Sequence, residues 1–485
     1  MTLPVHRLFL DGAWHTTTDR KLLRSPYSGE PVAEVCQADA AQIDRAILAA
    51  HGAFSQYRRS SAYLRGRLLH AIAQGILAER ASFVTRIIDE SGKPRTLADA
   101  EVSRAIGTFT IAAEEARRFG GELIPVDLDA AGRAYGPASV RAVPRGPVLA
   151  ITPFNFPLNL VAHKLAPALA VGASVLLKPP PQAPGAAVLL AEIFARAAAE
   201  VSDARERVPP ALLQVLSGSN EVISRAIVDP RLAILSFTGS DAVGWKLGGL
   251  ALKKKLALEL GGNAAVIVHA DADLARAAAR IAWGGNAYAG QVCISVQRVL
   301  VDEKVLPAFR ALLLAEVEKL VVGDPALPEV VVGPLIDRAA TDRVELWVKE
   351  AIAGGAVLLT GGGRTNNVLQ PVVLEGARAD HKVHTEEVFG PVLLLDGYAR
   401  FEDAIAQVND SRFGLQAGLF TDSARLVAQA SDELEVGGII VNDVPTYRAD
   451  NMPYGGMKDS GLGREGVRYA MDDFCERKVV VTWRG

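Results

Sequence analysis

Val148-Leu149-Ala150-Ile151-Thr152-Pro153-Phe154-Asn155-Phe156-Pro157 is the stretch from which the fold is read. Its apolar run, 148–152, predicts a strand buried on both faces, and the two prolines that bracket Phe154-Asn155-Phe156 end it in a turn. Residues 158–170 follow with helical periodicity, 174–178 read as a second buried strand, and 186–199 as an alanine-rich helix. Strands at 212–216, 233–237 and 256–260, with helices at 220–228 and 241–250, continue the alternation. Such alternation predicts an α/β fold with a parallel sheet covered by helices on both faces. Ligands on such a sheet bind at the carboxyl ends of its strands.

Outward from this region, a second α/β unit is predicted from about residue 264 to 445, with strands near 265–268, 296–301, 357–359, 392–395 and 438–442. Segment 126–143 is polar and glycine-interrupted, and 478–483 reads as a C-terminal strand. Both read as edge elements that need a partner, which predicts a homo-oligomer built by sheet extension.

A chain of 485 residues exceeds one hydrophobic core, so two or three domains are expected. Its 49% hydrophobic and 22% charged residues are ordinary for a globular enzyme. A formal net charge of −3 offers no electrostatic case for nucleic acid or an anionic membrane. No apolar run approaches the roughly 18 residues of a membrane span, and the first ten residues lack a signal-peptide core. A cytoplasmic enzyme is the expectation. The three cysteines, Cys36, Cys293 and Cys475, are odd in number and form no CxxC pair, so no disulfide framework is expected. The eight histidines show no HxH or HExxH spacing, which argues against a metal site. Lys253-Lys254-Lys255 reads as a helix-end cap.

Two stretches carry the chemistry: Leu258-Glu259-Leu260-Gly261-Gly262-Asn263 and Ala289-Gly290-Gln291-Val292-Cys293. A thiol that attacks carbon must be a thiolate, and a carboxylate can act as general base for the thiol and later for water. Alone, each residue reads as well as a buried structural Cys or a salt-bridged Glu. Asn155, at a strand end, has an amide able to donate to an oxyanion, or simply to satisfy a turn. Lys178 closes the second strand in Lys178-Pro179-Pro180-Pro181, within reach of a ribose hydroxyl or phosphate, or as a solvated lysine. Phe237-Thr238-Gly239-Ser240-Asp241-Ala242-Val243-Gly244 joins a strand to a helix whose free N–H groups suit a pyrophosphate. It is not GxGxxG, and a lone GxxxxG is weak. Glu386-Glu387-Val388-Phe389-Gly390-Pro391 supplies an acid for ribose hydroxyls and an aromatic for a ring, or a helix-end acid and a core aromatic.

Together with Pro453-Tyr454-Gly455-Gly456-Met457-Lys458 and Ser460-Gly461-Leu462-Gly463-Arg464-Glu465, these blocks resemble the aldehyde dehydrogenase superfamily in order and spacing. The resemblance covers essentially the whole chain. It implies a Rossmann-type dinucleotide domain (1–125 and 145–260), a second α/β catalytic domain (261–458) and a small β oligomerisation element (126–144 and 472–485). The implied assembly is a homodimer or homotetramer. Cys293 becomes the nucleophile, Glu259 the base and Asn155, with the nucleophile's backbone N–H, the oxyanion hole. The implied reaction oxidises an aldehyde to a carboxylic acid through a thiohemiacetal and a thioester. NAD or NADP is expected against Ile151, Thr152, Pro153, Lys178, Pro181, Gly218, Phe237, Gly239, Ser240, Val243, Leu260, Gly261, Glu387 and Phe389. Relatives selective for NAD often carry a Glu where this chain has Pro181, so NADP is expected to serve at least as well. Three alternatives are weighed: a CoA-acylating relative, disfavoured by Glu259 and Asn155; a thiol hydrolase without nicotinamide, which would need a His beside Cys293; and a non-catalytic binding or structural descendant, which would be expected to have lost Cys293 or Glu259.

Residues 286–295 and 441–448 look most like the branch of lactaldehyde, non-phosphorylating glyceraldehyde-3-phosphate and phosphonoacetaldehyde dehydrogenases. Phe156, His163, Ile294 and Arg448 are the expected substrate contacts. His163 and Arg448 stand where relatives acting on apolar aldehydes often have aromatics. A guanidinium there predicts a short aldehyde with a polar or anionic tail. The competing reading pairs Arg448 with Asp443 or Asp450 and leaves His163 packed on its helix.

Overall fold

The computed structural model describes residues 3–484. Five parallel strands stand side by side in the order Leu213–Val215, Val175–Lys178, Val148–Ile151, Ile234–Thr238, Lys255–Glu259. The chain lays down Val148–Ile151 first, moves outward on one side, then crosses to the other, so strand order reverses between Val148–Ile151 and Ile234–Thr238. The crevice beyond the carboxyl ends at that reversal is where a doubly wound sheet takes its ligand.

The period-two alternation of these strands explains why helices cover both faces. Val148, Ala150, Val175, Leu177, Leu213 and Val215 pack on one face, against Leu68 and Ile72, Val161 and Leu165, and Leu190 and Phe194 of three helices. Leu149, Ile151, Leu176, Leu235 and Phe237 pack on the other, against Ile43, Ile47, Ile223 and Ile227. Each fully buried Leu, Ile or Phe side chain contributes about 1.5–3 kcal/mol. The helices stand where the periodicity placed them: Asn159–Val171, Gly185–Val201, Asn220–Val228 and Asp241–Leu250. Lys254 does cap a helix end, but a neighbour's: its ammonium donates to the carbonyls of Asp229 and Leu232, just beyond Asn220–Val228.

Both edges of this sheet are closed by distant chain. Leu8–Leu10 pairs antiparallel with Leu213–Val215. On the far side Gly461–Leu462 pairs antiparallel with Lys255–Glu259, placing Gly461 opposite Glu259. Gly461 has φ +148°, and a Cβ there would lie 2.1 Å from the Leu258 carbonyl oxygen.

The second sheet has seven strands, six of them parallel: Val372–Glu375, Val392–Tyr398, Val296–Asp302, Ala264–Val268, Gln416–Phe420 and Gly438–Val441, with Val357–Thr360 antiparallel at one edge. Val372–Glu375 and Gln416–Phe420 are additions to the sequence expectation. The two expected edge segments partner each other within the chain: Cys475–Val480 runs antiparallel to Ala138–Pro144, from Cys475 opposite Pro144 to Val480 opposite Ser139. Residues 126–137 form no strand; Glu122–Ile124 supplies the third member of this small sheet. Its outer strands remain edges, and Leu123, Val479 and Val480 on them are exposed. No helix among the described residues is long and apolar enough to cross a membrane.

Candidate active site

Two adjoining cavities occupy the crevice. One, of about 600 Å³, is lined by Ile151, Thr152, Pro153, Lys178, Pro181, Phe237, Gly239, Ser240 and Val243. The other, of about 410 Å³, is lined by Asn155, Phe156, Glu259, Leu260, Gly261, Cys293, Ile294, Glu387, Phe389 and Arg448. They share Pro153, Phe154, Thr238, Gly239 and Ser240. Of the expected site residues, Gly218 and His163 line neither. Gly218 lies at the strand end beside Ala38, ahead of the helix Asn220–Val228, whose Asn220 and Ser224 face the larger cavity instead.

The larger cavity suits a dinucleotide. Lys178 is buried with no carboxylate in ion-pair reach among the described residues, and burial, then Lys21, lowers its pKa. Thr152 Oγ1 is buried without a hydrogen-bond partner. Ser240 N-caps Asp241–Leu250 without its hydroxyl taking a backbone N–H, so the helix start keeps free donors. Asp241 in that first turn would repel phosphate, but Arg412 pairs with it and with Glu386 at 2.6 Å. At Gly239 a Cβ would lie 2.6 Å from the Phe237 ring, so the backbone there admits only glycine without a shift. Glu387 Oε1 accepts from the Gly262 N–H at 3.1 Å, and burial raises its pKa to about 7. Phe389 meets Phe154 edge-on at 6.0 Å. Buried ammonium, open helix start and buried carboxyl together fit phosphates and ribose hydroxyls.

Cys293 follows a bent turn. Tyr288, Ala289 and Gly290 all lie in the left-handed region, at φ 56°, 52° and 70°. Each non-glycine residue there costs about 1–3 kcal/mol, which the surroundings must over-determine. Tyr288 Oη donates to the Ser91 carbonyl at 3.0 Å, and Gln291 donates to the Pro334 carbonyl at 3.1 Å while accepting from Ile336 N–H at 2.8 Å. Asn155 Nδ2 donates to the Gln291 carbonyl at 3.0 Å, two residues before Cys293, which leaves its second hydrogen free. At Gly262 a Cβ would sit 2.4 Å from the Cys293 carbonyl oxygen, so glycine lets the Glu259 strand end approach the thiol's backbone.

Burial pushes the Cys293 thiol up to about 12, offset in part by a hydrogen bond between Sγ and Tyr454 Oη at 2.9 Å. The thiol therefore needs a base. Glu259 is suited to that work: burial, then the nearby Glu465, raises its carboxyl well above the ordinary value. Its Oε2 is buried without a partner. Glu465 shifts the other way: against burial, Lys164 at 3.2 Å and Arg448 at 2.9 Å hold it ionised. Two neighbouring acids pushed apart in this way divide into proton acceptor and fixed charge.

The substrate end departs from expectation at His163. Its ring is buried behind the cavity wall, with Nε2 2.8 Å from Asp450 Oδ1, because its face of Asn159–Val171 turns inward. Arg448 does line the cavity, but pairs with Glu465 rather than Asp443 or Asp450, and lies 3.8 Å over the Tyr454 ring. Arg280 takes Asp443. Asp450 is taken by His163 and by Arg104, a cavity residue that the sequence reading missed. Arg104 donates through Nη2 at 2.7 Å and Nε at 3.2 Å, leaving Nη1 without a partner among the described residues. Arg104 lies in no motif, and neither does Lys164; only tertiary placement reveals them.

Residues 14–480 match the aldehyde dehydrogenase family. The 3-sulfolactaldehyde dehydrogenase of Priestia aryabhattai is 41% identical over 475 residues, spanning 98% of this chain and 97% of that protein. Aldehyde dehydrogenase 21 from Physcomitrella patens, solved in complex with the reaction product succinate, matches with TM-score 0.96 at 39% identity, over 100% of this chain and 99% of that one. Glyceraldehyde-3-phosphate dehydrogenase from Methanocaldococcus jannaschii, complexed with NADP, matches with TM-score 0.91 at 35% identity, over 96% and 100%.

Proposed function

The chain belongs to the aldehyde dehydrogenase family, and we propose that Cys293, Glu259 and Asn155 carry its reaction on a short aldehyde with an anionic tail. The chain is an NAD(P)-dependent aldehyde oxidoreductase. Glu259 takes the Cys293 proton, and sulfur adds to the aldehyde carbon. Asn155 Nδ2 and the Cys293 backbone N–H stabilise the resulting oxyanion of the thiohemiacetal. When bound, nicotinamide supplies the hydride acceptor that turns this adduct into a thioester. Lys178, Ser240 and the start of Asp241–Leu250 would hold the adenosine and phosphate end, and Glu387 the nicotinamide ribose. Glu259, having released its proton to solvent, draws a proton from water as it attacks the thioester carbon, releasing the carboxylic acid and the Cys293 thiolate.

One observation carries the substrate reading: Arg104, whose Nη1 has no partner among the described residues, lines the cavity that also contains Cys293 and Arg448. A carboxylate, sulfonate or phosphate is the group such guanidinium donors recognise. The relatives named for 3-sulfolactaldehyde and found with succinate handle molecules of this kind. A kcat/KM panel tests it, comparing 3-sulfolactaldehyde, succinate semialdehyde, glyceraldehyde 3-phosphate, lactaldehyde, propanal and hexanal with each dinucleotide. A preference for hexanal would overturn the reading.

We further assign 1–125 with 145–260 to dinucleotide binding, 261–458 to catalysis, and 126–144 with 472–485 to assembly as a homodimer or homotetramer in the cytoplasm; residues 1, 2 and 485 of these ranges lie outside the described residues. The exposed apolar strand edges at Leu123, Val479 and Val480 motivate the assembly. An active monomer of 51.4 kDa by light scattering would exclude it.

A further inference from the structure

The block that resembles the family's late Pro-Phe-Gly-Gly element has tyrosine at its second position in this chain, and that hydroxyl reaches the nucleophile. Tyr454 Oη lies 2.9 Å from Cys293 Sγ, its only hydrogen-bond partner among the described residues. We propose that Tyr454 is a catalytic residue of the oxidation, whose hydroxyl donates to the Cys293 thiolate when it forms as nucleophile and again when it is expelled as leaving group. The proposal rests on Cys293 being the nucleophile.

Three features make the hydroxyl a fixed donor. Tyr454 N–H donates to the Glu465 carbonyl at 3.0 Å and its carbonyl accepts from Glu465 N–H at 2.7 Å, so the backbone is pinned. The ring is buried with Ile294 and Leu415, beside Val292 and Cys293, which leaves the hydroxyl little freedom. The Arg448 guanidinium, 3.8 Å over the ring centre, withdraws density from the π face and strengthens the O–H as donor. A thiol is itself a weak donor, whereas a thiolate is a strong acceptor. Burial also holds the phenol protonated well beyond the usual tyrosine range. The other charged groups bearing on the sulfur are Glu387 and Glu259, which oppose thiolate, and Arg448, which favours it. None of those three makes a hydrogen bond to Sγ among the described residues.

In the first step the S–H proton goes to the Glu259 carboxylate, a sulfur lone pair forms the S–C bond, and the C=O π pair moves to oxygen beside Asn155. Tyr454 keeps its proton and gives up its hydrogen bond as the sulfur loses charge. In the last step Glu259, having released the thiol proton to solvent, takes a proton from the water whose oxygen bonds to the thioester carbon. The C–S bond then breaks with its pair on sulfur, where the Tyr454 O–H receives it; the phenol again keeps its proton. A phenylalanine would pack identically and leave both thiolates without a direct donor.

The test is the rate of Cys293 alkylation by iodoacetamide at fixed pH between 7 and 10, below the thiol's midpoint, which requires neither aldehyde nor dinucleotide. In Tyr454→Phe the thiolate fraction should fall about tenfold at each pH, and the rate severalfold with it. Placing a single 3-fluorotyrosine at 454 makes the phenol more acidic while preserving the fold, and should raise the rate; a merely structural role would not give opposite signs in the two proteins. A rate unmoved in the 3-fluorotyrosine protein, or in a folded Tyr454→Phe, overturns the proposal. If Cys293→Ala oxidises aldehyde normally, the functional reading fails instead, whichever way the rate moves.

Discussion

Glu465 and Arg448 form an ion pair at 2.9 Å with both side chains only 6% exposed, and Lys164 completes the site from the other carboxylate oxygen at 3.2 Å. Removing one partner of a buried pair leaves an uncompensated charge, which costs about 3–5 kcal/mol. Glu465→Gln should therefore lower unfolding free energy by that order at neutral pH. The sign of its pH dependence follows from the depressed native pKa. The stabilisation is fully present above the unfolded value of about 4.3, and is lost as pH falls from there through the native value. Urea unfolding of parent and variant at pH 7, 5 and 3 should show the gap shrinking in acid. A constant gap would refute the ion-pair account.

Glu259 carries the opposite linkage. Its native pKa is raised, so the folded state binds the extra proton between the unfolded value of about 4.3 and the higher native value. Stability therefore falls as pH rises through that window. Glu259→Gln is expected to raise Tm at pH 8 and to match the parent near pH 4, measured by calorimetry. The same variant should release a burst of reduced dinucleotide and then stall at the thioester. Cys293→Ala should lose oxidation altogether while binding dinucleotide near normally by fluorescence titration.

Arg104→Ala should raise KM for succinate semialdehyde about tenfold or more, the loss of one charge-assisted contact, and leave propanal nearly unchanged. Removing Arg104 leaves Asp450 with His163 at 2.8 Å, as removing Arg448 would leave Glu465 with Lys164 at 3.2 Å, so propanal is the control for any indirect effect. Equal effects on both aldehydes would remove the anionic-tail assignment.

Pro181 lines the larger cavity with Lys178, so that position carries no carboxylate to repel a 2′-phosphate; the acid that lines this cavity among the described residues is Glu221, at the start of Asn220–Val228. NADP should then serve at least as well as NAD, and Pro181→Glu should lower kcat/KM for NADP about tenfold while sparing NAD. A parent enzyme tenfold better with NAD would contradict this.

Much of this was legible in the chain itself. The helices Asn220–Val228 and Asp241–Leu250 stand at their expected bounds because local signals specify them: Ser219 caps the first by accepting from Val222 N–H at 3.3 Å, and Ser240 occupies the corresponding position in the second. The strand-end placement of Asn155, Ser240 and Glu259 likewise follows from apolar runs that stop at glycine, proline or a polar residue. Strand Gln416–Phe420 was hidden, since a glutamine and a glycine interrupt its run. Buried Gln416 is satisfied by the carbonyls of Pro445 and Tyr447, and Gly418 makes room for the Asp443 carbonyl. Neither reason is local.

The same division holds at the site. Motif order and the alternation of strands and helices determined the doubly wound sheet and its strand-end crevice, and singled out Cys293, Glu259 and Asn155 as candidates. Tertiary structure alone decided that Arg104 rather than His163 faces the cavity, that Glu465 is the charged acid and Glu259 the protonatable one, and that Tyr454 touches sulfur. Periodicity and turn chemistry act between residues a few positions apart, so a single segment records them. Partner choice among charges, and the burial that sets their pKa values, arises only when segments hundreds of residues apart exclude water together.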